Sequence, residues 1–360
     1  MATVTKFVDT DAFSTTTFNN KIDEINQEFS SLEGAGLKDC IIVGTSVANN
    51  LSLPSGSISK TLGYTQSDCD YYCTSNSSTN TTMLNNIFAQ PTEKGFRKVV
   101  FLPGIYLVNN TLRIADAYQI EGRGGATIQR DASMLDGNPT IAIRSSSGPV
   151  CFNGIIFYND SAISSKTYFV EAAQPANIII ENCYFYNNGG NSGKWCGIKM
   201  PSSNMNIIKG NYFYQLEYGI ELGSTKYSKI EDNYARVTTF CCCSTSAEIE
   251  ENAFLNNRGS FSFFMFALAD PNVLSTFKKN IISNNDIKCT LLFNYQDEGT
   301  APYQSNIYSQ NIIRGAVADF TISGSYNVII GNISNKTISG NTGSDGSVVA
   351  NNVVDSTLTS

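Results

Sequence analysis

Ile208-Lys209-Gly210-Asn211-Tyr212-Phe213 reads as an aliphatic residue, two variable residues, an asparagine, one variable residue and an apolar one. The phrase returns from Ile179 (I-I-E-N-C-Y), Ile230 (I-E-D-N-Y-A), Ile249 (I-E-E-N-A-F), Ile282 (I-S-N-N-D-I), Ile329 (I-I-G-N-I-S) and Val349 (V-A-N-N-V-V), and more loosely from Tyr308 (Y-S-Q-N-I-I). Its asparagines stand at 182, 211, 233, 252, 285, 311, 332 and 352, giving steps of 29, 22, 19, 33, 26, 21 and 20. A short fixed phrase at a variable step describes a solenoid in which each turn repeats one bend and carries a loop of its own length.

The chemistry of the phrase supports that reading. In a parallel β-helix each coil lies about 4.8 Å above the last, so like residues stack in columns. Apolar residues beside the bend point inward and build a continuous core. Asparagine tolerates the left-handed backbone of a tight bend, and stacked amides bond along the axis as a ladder. Asn-rich low complexity would not keep Ile or Val three residues before so many asparagines. The expected fold is all-β: a right-handed, single-stranded parallel β-helix with a short N-terminal helical segment.

Composition agrees. In 360 residues, 41% hydrophobic and 11% aromatic content supplies a core, while charged residues are only 15%. A net charge of −7 and no basic patch argue against nucleic acid as a partner. No apolar run reaches about 18 residues, so no membrane insertion is expected, and Met1–Phe7 lacks the apolar centre of a secretory signal. With that reading the ten cysteines default to free thiols, the Cys241–Cys243 run alternating between core and surface. Cys69 and Cys73 are too few for a metal site, and no metal or other cofactor is expected. The chain has no histidine, which excludes Ser-His-Asp and Cys-His hydrolysis and every His-ligated metal centre. Any chemistry must come from carboxylates, Lys, Arg or Tyr.

The chain divides into three regions. In residues 1–36, Phe18, Ile22, Ile25, Phe29 and Leu32 form a heptad seam, with Ser14 or Thr15 to cap it and Gly34 to stop it. Two heptads are too short to stand alone; the seam either packs on its own domain or aligns several chains. Residues 37–90 read as a cap or linker, in which Thr82–Phe88 has helical spacing suited to covering the open end of a solenoid. Residues 91–360 are the parallel β-helix.

The start of that third region, R-K-V-V-F-L-P-G-I-Y-L-V-N-N-T-L-R-I-A-D-A-Y-Q-I-E-G-R-G-G-A-T-I over residues 97–128, alternates short β-rich runs with Pro-Gly, Asn-Asn and Gly-rich turns. It resembles the first coils of the pectate-lyase-like right-handed β-helix superfamily, with likeness extending over roughly residues 80–355. In organisation the nearest group is the bacteriophage tailspikes and tail fibres. That resemblance implies a homotrimer located in the virion tail, attached to other tail proteins by its N-terminal segment and directed at a bacterial surface polysaccharide. One departure is that the last coil, at Val354, is followed by no sizeable trimerisation region in this sequence. The histidine-dependent motif set of the polygalacturonases is absent. Arg236 near Asp232 is a weak echo of the calcium-dependent lyases.

Aligning the phrase on its asparagine puts Glu231 with Glu250 and Asp232 with Glu251, each pair about one rung apart. At an effective dielectric near 20, such a pair repels by roughly 3 kcal/mol before screening. Carboxyls whose pKa values are driven apart are what glycoside hydrolysis uses, as acid and as base or nucleophile. A second alignment, W-C-G-I-K-M from Trp195 on Y-G-I-E-L from Tyr218, places Lys199 over Glu221 and Trp195 over Glu217. The catalytic candidates are therefore Glu217, Glu221, Glu231, Asp232, Glu250 and Glu251. Trp195, Tyr218 and Lys199 are candidates for binding sugar, and Asp297 and Glu298 stand as outside candidates in a long loop. The bland counterpart is a set of surface ion pairs. Two functions fit: a tail spike or fibre that binds and cuts a bacterial polysaccharide, and a receptor-binding or structural virion protein without catalysis.

Overall fold

The computed structural model describes residues 40–54, 56–58, 62–90, 97–144, 148–172, 177–190, 194–243, 247–267, 276–294, 303–315, 320–322, 325–340 and 346–358. They belong to the second of two compact units, Ile42–Ser360, apart from the first residues of a strand at Cys40–Thr45. The heptad seam and the loop at Asp297-Glu298 lie outside the described residues.

One coil shows the plan: strands Ile207–Lys209, Tyr212–Tyr214 and Tyr218–Lys226. The next coil repeats them as Lys229–Glu231, Tyr234–Arg236 and Thr239–Cys243. Every pairing between these coils is parallel, with Ile208 beside Ile230, Phe213 beside Ala235 and Ile220 beside Cys241. The expected solenoid is thus present. Its first face is a 13-stranded parallel sheet whose inward column runs Ile180, Ile208, Ile230, Phe254, Ile282, Tyr308 and Ile329, each beside the next. On the second face Phe157, Phe185 and Phe213 stack inward with ring centroids 4.9 and 5.0 Å apart.

The corners differ from expectation in two ways. The left-handed residue is not the ladder asparagine but the one before it: Gly210, Asp232, Asn256, Asn284, Gln310, Gly331 and Asn351 all have φ between 54° and 66°. The extended asparagine next in the chain turns its amide along the axis. Its backbone N–H and Nδ2 both donate to the Oδ1 of the asparagine one coil on, through Asn211, Asn233, Asn257, Asn285, Asn311, Asn332 and Asn352.

Secondly, there are two ladders. Asn252 belongs to the other, which runs through Asn280, Asn306 and Asn327 and is entered from Ser228. It too sits after left-handed residues, Glu251, Lys279, Ser305 and Tyr326. The ladders lie five residues apart in every coil, so the short first-face strand is pinned at both ends. Asn182 is itself a left-handed residue, and its coil enters the first ladder through the N–H of Cys183.

Helix α1, Ser77–Phe88, starts earlier than the sequence spacing indicates because the Asn76 side chain caps it by accepting from the Thr79 N–H. Its polar face binds the edge of the first coil. Asn80 and Asn85 donate to the carbonyls of Leu107 and Thr111, Asn85 accepts from the Arg113 N–H, and Thr81 from the Asn109 N–H. Those are backbone groups that an open solenoid end leaves without partners. Leu84, Ile87 and Phe88 are buried beneath, Phe88 edge-on to Tyr118 at 5.5 Å.

Candidate functional site

The two ladders rearrange the carboxylate columns. Glu231 stands beside Lys209 on one side and Leu255 on the other, whereas Glu250 stands between Lys226 and Lys278 on a different face. The expected pairs Glu231–Glu250 and Asp232–Glu251 do not form, because Asn233 and Asn252 are on separate ladders. The Lys199–Glu221 register does hold.

Lysines hold five of the six candidate carboxylates. Lys229 and Lys209 approach Glu231 at 2.6 and 3.0 Å, and Lys209 is 3.8 Å from Asp232. Lys226 lies 2.8 Å from Glu250 and 2.9 Å from Glu248, and Lys279 lies 2.8 Å from Glu251. Burial pushes the Glu231 carboxyl up, but the two lysines outweigh it and hold the group below its ordinary value. Lys226 does the same for Glu250. A general acid for glycoside cleavage needs the opposite shift.

The third face gathers the other named residues. Glu221 is only 6% exposed and meets Lys166 at 2.7 Å. The Lys166 ammonium also lies 4.2 Å from the centre of the Tyr218 ring, a cation–π contact. Burial lowers the Lys166 pKa, and Glu221 more than offsets this, so the net shift is upward. Lys199 reaches back one coil rather than forward: it pairs with Glu171 at 3.1 Å and sits 4.4 Å from the Tyr168 ring. Tyr218 packs with Cys196 and Cys242, both fully buried. Cys241 and Cys242 are both buried, so the expected alternation between core and surface fails there. Glu217 is partly exposed at the corner before Tyr218, its N–H bonded to the Trp195 carbonyl.

Trp195 does not offer the ring expected of a sugar platform. It is 0% exposed, stacked on Phe169 at 4.5 Å and lying under the Arg130 guanidinium at 5.7 Å. Its residue pairs with Thr167 inside a strand of the third face, which puts the indole in the core.

Aromatic surface lies instead on the outside of the second face. Tyr184, Tyr212 and Tyr234 form one stacked column with centroids 4.5 and 4.7 Å apart. Tyr158, Tyr186 and Tyr214 form a parallel one at 5.5 Å spacing. Leu51, Leu53 and Ile58 cover the N-terminal part of this surface. The other end is open. Tyr234 is 39% exposed as the last ring of its column, Arg236 lies 5.3 Å from the Tyr214 ring, and Arg258 comes after Tyr234 in register, also exposed. Residues 215–217 connect this end in the chain to the strand that carries Tyr218 and Glu221. The signal was in the triplets Tyr184-Phe185-Tyr186 and Tyr212-Phe213-Tyr214, whose alternation puts the phenylalanine inside and both tyrosines outside. Among the described residues no three His, Cys, Asp or Glu side chains converge as metal ligands.

A family model described as the right handed beta helix region matches residues 104–300. Among solved structures, the Streptococcus pneumoniae surface protein and adhesin PfbA is similar over 72% of this chain and 91% of that one, at 13% identity and a TM-score of 0.34. That distance carries no functional argument. No curated protein matches the sequence.

Proposed function

The chain belongs to the right-handed β-helix family, and on that scaffold we propose a glycan-adhesion protein of the tail-spike or tail-fibre kind that holds a bacterial surface polysaccharide without cutting it. The observation that carries this reading is the open end of the tyrosine columns, where Tyr212, Tyr214 and Tyr234 meet Arg236 and Arg258. An exposed tyrosine ring covers the apolar face of a sugar, and phenol and guanidinium groups supply hydrogen bonds to its hydroxyls. Along the solenoid such groups recur at about 4.8 Å, a row suited to an extended polymer.

Adhesion is favoured over hydrolysis because Glu231 and Glu250, whose pairing motivated an acid–base mechanism, are on different faces and are both held ionised by lysines. Placement in a virion tail, attached through residues 1–36, completes the proposal and rests on the sequence resemblance.

The experiment is binding and reducing-end release measured together on a panel of bacterial capsular and lipopolysaccharide glycans. Binding without release is expected, weakened about tenfold by Tyr234→Ala or Arg236→Ala, a loss typical of a well-placed contact residue. Release that Glu221→Gln or Asp232→Asn abolishes would overturn the adhesion reading in favour of a depolymerase.

A further inference from the structure

The outside of the first face changes character midway along the solenoid. Its two outward columns carry Glu181, Lys209, Lys229 and Glu231 in the earlier coils. From the next coil onward the same columns read Ala253 and Leu255, Ile281 and Ser283, Ile307 and Ser309, Val328 and Ile330, Val348 and Ala350. No charged residue stands in this five-coil band, and the corner that follows it is neutral, with Asn256, Asn284, Gln310, Gly331 and Asn351; the corner before it carries the Glu251–Lys279 ion pair at its first two rungs and then Ser305 and Tyr326. Its two serines bond to each other, Ser309 Oγ to Ser283 Oγ at 2.9 Å. Ile281 and Ile307 are 40% and 37% exposed although they lie mid-stack, where no open end explains it. Around the corner Ile312, Ile333 and Val353 extend the apolar surface, Ile333 at 36% exposure.

A parallel sheet is normally covered on both faces, and a contiguous aliphatic surface of this kind marks an interaction site. We propose that the band is the surface through which two copies of this chain associate. The chemistry of the band selects the occupant. It has no charge to recognise an ionic partner and no free row of polar groups for a sugar. It is a flat aliphatic surface ridged at the rung spacing, and the partner that matches such ridges is another sheet face packed about 10 Å away. A second copy brings the same ridges and no like charges. The earlier coils would bring Lys229 and Lys209 to the contact instead, which explains why the association is confined to the later ones.

Five rungs at about 4.8 Å give a band roughly 20 Å long. Its area falls at or below the ~800 Å² per partner of a standard interface, the wing of Ile312, Ile333 and Val353 included. Association in the micromolar range is therefore expected rather than a permanent oligomer. Ile307 is on the central rung of the five, so it faces its own counterpart when the two solenoids run antiparallel about a two-fold axis along the strands. The association is independent of whatever the tyrosine surface binds.

Sedimentation velocity of the full chain between roughly 1 and 100 µM, a range that spans such an affinity, provides the test. The unsubstituted chain should shift from monomer to oligomer. The double variant Ile281→Lys, Ile307→Lys should remain monomeric with unchanged circular dichroism, and the milder Ile307→Thr should raise the dissociation constant about tenfold or more. Under oxidation Ile307→Cys should give a 307–307 disulfide identified by peptide mass, and Lys229→Cys should give none. A chain that stays monomeric throughout overturns the proposal and assigns the band to a different partner. Association that survives the double substitution, or a link at 229 but not at 307, overturns it as well.

Discussion

At each solenoid corner two consecutive residues divide the work. The first takes the left-handed backbone, and the second gives up its side-chain amide to the ladder. Only the second must be asparagine, which is why the first varies freely among Gly, Asp, Asn and Gln. Asn285 shows what the amide does: its Nδ2 donates to the Phe254 carbonyl and to Asn311 Oδ1, while its Oδ1 accepts from the N–H and Nδ2 of Asn257. Asn285→Ala leaves these buried groups without partners, and thermal or urea unfolding should show a loss of about 1–3 kcal/mol. Asn352→Ala, on the last coil where the site is half open, should cost less. Glu231 carries a pH signature. Its carboxyl is depressed in the folded state, so its contribution is fully present above the unfolded value near 4.5 and fades as pH falls through the lower folded value. Acid unfolding profiles of Glu231→Gln and the parent should differ most above about pH 4.5 and converge as the pH falls through the lower folded value. Equal profiles at all pH values would show that Lys209 and Lys229 do not stabilise it.

The strands divide the named aromatics into structure and surface. Trp195→Ala should cost about 3–5 kcal/mol as a core truncation and leave glycan affinity unchanged once the protein is folded. A variant that is fully stable but loses binding would mean the indole reaches the ligand. The sequence revealed the strands but not their partners. Its phrase of an aliphatic residue and an asparagine three later correctly indicates parallel coils, and the Lys199–Glu221 register can be read from it. Yet Ile249-Glu250-Glu251-Asn252 satisfies the same phrase while its asparagine stands on the second ladder. Ile230-Glu231-Asp232-Asn233 uses the first, and a one-dimensional pattern does not distinguish two corners with the same chemistry. The constant five-residue offset between the ladders would have separated them: Asn252 with Asn257, Asn280 with Asn285, Asn306 with Asn311. Merging them gave the irregular steps of 19 and 33 and with them the false carboxylate pairs. The tyrosine columns went unread because the phrase treats the residues after its asparagine as merely apolar, and Tyr-Phe-Tyr is apolar on one side only.

On the scale of the whole molecule, both ladders advance by the same number of residues from each coil to the next. Asn252 to Asn280 and Asn257 to Asn285 are both 28 residues, and Asn280 to Asn306 and Asn285 to Asn311 are both 26. Every amide in a ladder also points the same way, donor toward the later coil. Length is therefore a quantised variable for this protein. Removing residues 253–280 joins Asn252 to Ile281 with the five-residue offset intact, so the shortened chain should fold and melt cooperatively at a somewhat lower temperature. A cut that stops at Phe277 instead breaks the phase of both ladders and should yield no folded protein. Whole turns can thus be gained or lost by recombination between coils, each exchange adding or removing one rung while both ladders stay in phase. The reach of the molecule can change in steps of one rung, losing or gaining only the surface residues that the exchanged turn itself carries, which in the cut above are Ala253, Leu255 and Arg258.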